Sequence, residues 1–184
     1  MKKNDGRSGR RGYTLVEMLV ALAVGSVLLA QGVPSLRAFL LGRQVQGHAM
    51  ALADDLRRAR AEAIQRGTRV TLCPSVDGRQ CAGAAANRDW SRGWLVFQDS
   101  GTRGVVETGD TVLRVQAGPP LPLRVAAGGL ASYVVSYLPS GVAPGAQNNV
   151  RFQPDGAGDA PAQSQRVVCI GATGSTRIAT GAAC

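Results

Sequence analysis

The sequence predicts an α+β protein: one long amino-terminal helix, then a small antiparallel β-sheet domain that takes the helix as its cover. Two observations predict it. An apolar run and then an amphipathic run carry helical spacing from about residue 14 to residue 66. After Gly67 the hydrophobic period falls to two, and Gly and Pro punctuate short apolar stretches to the carboxy terminus.

The helix opens at Arg10-Arg11-Gly12-Tyr13-Thr14-Leu15-Val16-Glu17-Met18-Leu19. Five basic residues, Lys2, Lys3, Arg7, Arg10 and Arg11, precede an apolar run whose one acid is Glu17. Residues 18–36 carry no charge, which approaches the roughly 20 residues that span a bilayer. Pro34 removes one backbone donor and predicts a kink of the helix there. In the second half, Leu52, Leu56, Ala59, Ala63 and Ile64 form the predicted core stripe. Asp54, Asp55, Arg57, Arg58, Arg60, Glu62 and Arg66 fill the other positions, with Asp54–Arg58 and Glu62–Arg66 as i,i+4 pairs. Gly67 is the expected stop. His48 is read as a solvated helix residue with no role.

Strands are expected at residues 68–73, 93–98, 111–116, 123–126, 132–138, 149–153, 166–170 and 176–179. Residues 74–90, 118–122 and 154–165 read as loops. The 184 residues suit one small domain behind the apolar segment.

Composition excludes several classes of function. The chain has a formal charge of +9, of which the first twelve residues hold +4. The remaining +5 is a mild excess and by itself weak support for a nucleic-acid partner. Both lysines lie in the leader, so the rest of the chain has no Schiff-base or P-loop lysine. One histidine on a helix does not readily supply a Ser-His-Asp or Cys-His pair. The eleven acids after the leader are scattered, and Glu107 and Asp110 sit in a turn-like segment. No enzyme and no cofactor is therefore expected.

Cys73, Cys81, Cys169 and Cys184 form an even set that allows three pairings. The short-loop pairing, Cys73–Cys81 with Cys169–Cys184, is favoured, each bridge worth about 2.5–3 kcal/mol by loop entropy. A zinc site is the rival, but the sequence has no CxxC pair.

The opening stretch resembles the signal of type IV prepilins: a glycine, an aromatic, Thr-Leu-Val-Glu and a long apolar tail coincide. An ordinary secretory signal ending near Ala30-Gln31-Gly32 and a plain membrane anchor are the alternatives, and Glu17 speaks against the first. Further on, Cys73-Pro74-Ser75, a second cysteine, and Trp90-Ser91-Arg92-Gly93-Trp94-Leu95-Val96-Phe97-Gln98-Asp99 resemble the GspH/FimT group of minor pilins. The resemblance is specific over residues 12–36 and 68–99 and looser beyond.

It implies a type IV pilin fold and four segments: a cleaved leader at 1–12, a membrane and filament-core helix at 13–36, its amphipathic continuation at 37–67, and a periplasmic β-rich domain at 68–184. It implies cleavage after Gly12 and N-methylation of Tyr13 by a prepilin peptidase/N-methyltransferase. Glu17 would pair with the terminal amine of a neighbouring subunit. Partners would be other pilins or pseudopilins and the inner membrane, with the leader cytoplasmic by its positive charge.

The implied function is a minor pilin at the tip or priming complex of a type IV pilus; the alternative is a minor pseudopilin of type II secretion. A further alternative is DNA capture. Some FimT-like pilins use a Gly-Arg-x-Arg element, to which Gly174-Ser175-Thr176-Arg177 corresponds with its first arginine replaced by Ser175. Arg166 and Arg151 are the candidates to join Arg177 on one face. A solvated edge-strand arginine is the plain alternative.

Overall fold

The structure, a computed structural model, describes residues 12–82, 89–120, 123–129, 134–145, 148–155, 162–181 and 183–184. Residues 1–11 of the leader, Ser132 and Tyr133 of a predicted strand, and parts of the three predicted loops lie outside the described residues. The chain divides into two compact units, Met1–Phe39 and Leu40–Cys184.

One helix, α1, runs over Leu15–Arg66. The Thr14 hydroxyl caps it, accepting the Glu17 N–H at 3.2 Å, so Thr14-Leu15-Val16-Glu17 has the spacing of a capping box. The helix continues across Pro34, since a proline removes one donor and its neighbours keep theirs. Gly67 ends the helix in the left-handed region at φ 66°, where a side chain would be strained.

In the second unit, Val45, Ala49, Leu52, Leu56, Ala59 and Ala63 are buried on one stripe of α1. Ile64 departs from the expectation and is 53% exposed, since the next position around the helix turns away from a stripe narrowed by its alanines. Asp55 departs in the other direction. It is buried, accepts the Trp94 indole N–H at 2.9 Å and pairs with Arg114 at 2.8 Å. Asp54 pairs with Arg57 rather than Arg58, at i,i+3 and 2.9 Å, and Glu62 pairs with Arg66. His48 is half-buried on the flank of the stripe, its Nδ1 without a partner; burial holds its imidazole below the ordinary pKa.

Where one sheet region is expected from the sequence, two four-stranded antiparallel sheets form. The strands are β1 (Val70–Pro74), β2 (Gly93–Gln98), β3 (Thr111–Ala117), β4 (Leu123–Gly129), β5 (Val135–Tyr137), β6 (Asn148–Pro154), β7 (Arg166–Ile170) and β8 (Thr176–Thr180). The first sheet has the order β3-β2-β1-β5 and the second β4-β6-β7-β8. Alternation along β1 and β2 sends Val70, Leu72, Trp94 and Val96 into a core shared with the α1 stripe and the second sheet. Cys73, Leu95 and Phe97 point the other way into a smaller cluster with Val134. Along β1 and β2 both faces of the first sheet are thereby buried, while β3 is largely exposed. The outer face of the second sheet is exposed at Arg124 and Arg177 and buried at Val167 and Cys169.

Candidate functional site

The amino-terminal surface is apolar and bare. Leu15, Val16, Leu22, Leu28 and Leu29 are each at least two-thirds exposed, and this helix is long and apolar enough to cross a membrane. Glu17 is exposed within this surface. At Gly12 an added Cβ would meet nothing within 4 Å, so the chain's own packing sets no need for glycine there. Glu17 follows Gly12 and Tyr13 closely in the chain, so local spacing alone brings the three together.

The second candidate site is the outer face of the second sheet, the one turned away from the main core. Arg151 stands opposite Val167 in the β6–β7 ladder, Val167 opposite Ala179 in β7–β8, and Cys169 opposite Arg177. Arg151 and Arg177 therefore share one face, away from Val150, Phe152, Val168 and Ile170 of the core. Arg166 does not join them. It lies three positions from Cys169, so alternation places it on the core face, where its Nη1 donates to the Gln163 and Gln165 carbonyls at 2.8 Å each.

Arg124 takes its place. It stands opposite Gln153, two residues along β6 from Arg151, and is exposed. Its alternation is visible in Leu123-Arg124-Val125, but only the β4–β6 register brings it to Arg151. Arg124, Arg151 and Arg177 make a diagonal row across the sheet. Strand spacing and rise put the steps at about 8 Å and about 12 Å. Ala126, Gly128 and Asn149 line a groove together with Arg124 and Arg151. Asp89 and Asp155 flank Arg124 on its other side.

Gly174, the first residue of the stretch that includes Arg177, has a packing reason to be glycine. Its φ is 81°, and a Cβ would stand 2.1 Å from the Gly141 carbonyl oxygen. Cys169 and Cys184 are bridged, with Cα atoms 5.8 Å apart, and the Arg177 Nη2 donates to the Cys184 carbonyl. Cys73 and Cys81 are bridged as well, at a Cα separation of 5.5 Å. With all four sulfurs engaged, no thiolate remains for zinc.

Glu107 and Asp110 serve the β2–β3 connection. Asp110 accepts the Ser100 hydroxyl at 2.6 Å and N–H at 3.0 Å, and the Glu107 N–H at 2.9 Å. Burial pushes the Asp110 carboxyl up, but the Ser100 and Glu107 hydrogen bonds and the Arg69 charge outweigh it and hold the pKa below the ordinary value.

Residues 7–30 match the prokaryotic N-terminal methylation motif. Residues 48–181, well over half of the chain, match the family described as type II transport protein GspH. The chain belongs to the GspH family.

Solved structures agree with the GspH-family fold. The type IV minor pilin FimU of Pseudomonas aeruginosa is 17% identical, over 73% of this chain and 91% of FimU, with a TM-score of 0.51. The minor pseudopilin EpsH from the type II secretion system of Vibrio cholerae is 18% identical, over 74% of this chain and 97% of EpsH, with a TM-score of 0.50. A second EpsH structure gives 14% identity and a TM-score of 0.52. At these identities the likeness shows the fold, that of type IV pilins. No curated protein matches the sequence. As a GspH-family chain with a methylation motif, the protein is a minor pilin or pseudopilin, a structural subunit rather than an enzyme.

Proposed function

We propose that the chain is a minor pilin of a type IV pilus, cut after Gly12 by a prepilin peptidase and methylated on Tyr13. Residues 13–36 then anchor it in the bacterial inner membrane, and residues 37–184 lie in the periplasm. On assembly the anchor moves into the filament core, near the tip. One observation carries this reading: an exposed apolar helix surface, capped by Thr14, presents a single carboxylate at Glu17. The basic leader supports the orientation. The two bridges incline the reading to the pilus over its alternative, a minor pseudopilin of type II secretion. Mass spectrometry of the protein from native membranes tests it. The expected mature chain begins at N-methylated Tyr13. A chain beginning at Val33 would mean the helix is discarded, and the proposal would be lost.

A second reading, DNA binding, is favoured by the diagonal of Arg124, Arg151 and Arg177 on one face of the second sheet, with Arg124 and Arg177 exposed. Arginines on a sheet face contact phosphates without reading sequence. Replacing Arg124 and Arg177 together with alanine is expected to weaken duplex binding on every sequence alike. It should also flatten the slope of log K against log salt by roughly 1.8, two phosphates at ~0.9 each. A salt slope unchanged in the double variant would remove this face from consideration.

A further inference from the structure

We infer that the Cys169–Cys184 bridge is a positioning device for Arg177, holding its guanidinium ready for a phosphodiester. The inference rests on the DNA-binding reading above. The bridge has little to do for the hairpin it follows, because β7 and β8 are already joined through five register pairs from Arg166↔Thr180 to Ile170↔Thr176. What it fixes is the segment after β8. In that segment the Gly181 N–H donates to the Gln165 carbonyl, and the Cys184 carbonyl accepts from Arg177. The sulfur link thus carries the Cys184 carbonyl back onto the side chain that stands directly opposite Cys169 in the ladder.

The consequence for Arg177 is chemical. A guanidinium has five N–H donors in a planar fork. One is committed to the Cys184 carbonyl, which fixes the plane of the fork and leaves the others to meet two oxygens of one anion. An arginine held this way gives up less rotamer freedom on binding than a free one. Asn149, Ser175, Arg177 and both half-cystines line one cavity on this face, so Arg177 shares the place where the anion would sit with two neutral polar side chains. The ligand class is a phosphate oxygen pair on a nucleic-acid backbone.

The test uses the full chain in detergent micelles, with wild type, Cys184→Ser, Arg177→Ala, the double variant and Cys81→Ser. Two quantities are read: the Kd for a fluorescent DNA duplex across a salt series, and the rate at which phenylglyoxal modifies Arg177, followed by mass spectrometry. Cys184→Ser is expected to raise the Kd several-fold with the salt slope kept, because the freed guanidinium still reaches a phosphate but gives up more rotamer freedom. Arg177→Ala should raise the Kd further and flatten the salt slope by ~0.9, with no further loss in the double variant, and Cys81→Ser should bind as wild type. Arg177 should be modified faster in Cys184→Ser than in wild type. Equal modification rates, additive losses, or an equal loss in Cys81→Ser would each overturn the inference. A wild type that binds no duplex would overturn the DNA reading alone, since the modification rates read the positioning without DNA.

Discussion

Glu17→Val is expected to leave membrane insertion intact and to abolish incorporation into a filament. The carboxylate is exposed on an otherwise apolar stretch, and its own chain gives it no cationic partner among the described residues. A charge in the middle of a bilayer costs on the order of 2–3 kcal/mol, so removing it does not hinder insertion. In a filament core the balance differs. Two opposite charges at ~4 Å attract by about 4 kcal/mol at an effective dielectric near 20, enough to outweigh that cost if a neighbour's terminal amine is the partner. Membrane fractionation and the sheared filament fraction, probed with the same antibody, measure the two effects separately. A Glu17→Val subunit found in filaments at the wild-type level would end the pairing role.

The second large effect is expected at Asp99. Its carboxylate is buried, and it accepts from Arg69 at 2.5 Å, the Thr71 hydroxyl at 2.7 Å and the Gly104 N–H at 2.9 Å. Thr71 in turn is bonded to the Ser136 hydroxyl at 2.8 Å, which accepts from Arg103 at 3.1 Å. The network joins β1, the β2–β3 connection and β5. Asp99→Ala strands several of these groups at once and is expected to cost about 3–5 kcal/mol. The Arg69 share is discounted within that range, because solvent screens a side chain that is 26% exposed. Thr71 is buried and its share is undiminished. Against a total of roughly 5–15 kcal/mol, the variant would sit near the edge of unfolding. Urea unfolding followed by near-ultraviolet circular dichroism of the buried Trp90–Trp94 pair reads the loss. A cost below about 1 kcal/mol would show that the network is not a unit.

What the sequence disclosed, and what it withheld, divides by the range of the interactions. Thr14, Glu17 and Gly67 mark the ends of α1 through contacts a few residues long, and spacing alone places them. The strands at 93–98 and 166–170 are short apolar runs bounded by their own turn residues. Asp55 reads wrongly from sequence because an acid between Ala53 and Leu56 looks solvated until Trp94 and Arg114 arrive from the first sheet. The arginine face shows the same limit. Arg166 and Arg177 are close in sequence yet on opposite faces, and Arg124 joins Arg151 only through the β4–β6 register. Parity along one strand is local information; register between strands is not.

The chain alternates between its two sheets late in the fold: β4 belongs to the second, β5 returns to pair with β1 in the first, and β6 goes back to β4. Neither sheet can be completed before the other has begun. A nascent chain released after β4 would hold two ragged edges, and a protease cut between β4 and β5 would separate β5 from the first sheet and β4 from the second together. The domain should accordingly melt in one cooperative step, with no half-folded species to expose its strand edges while the subunit waits to be used.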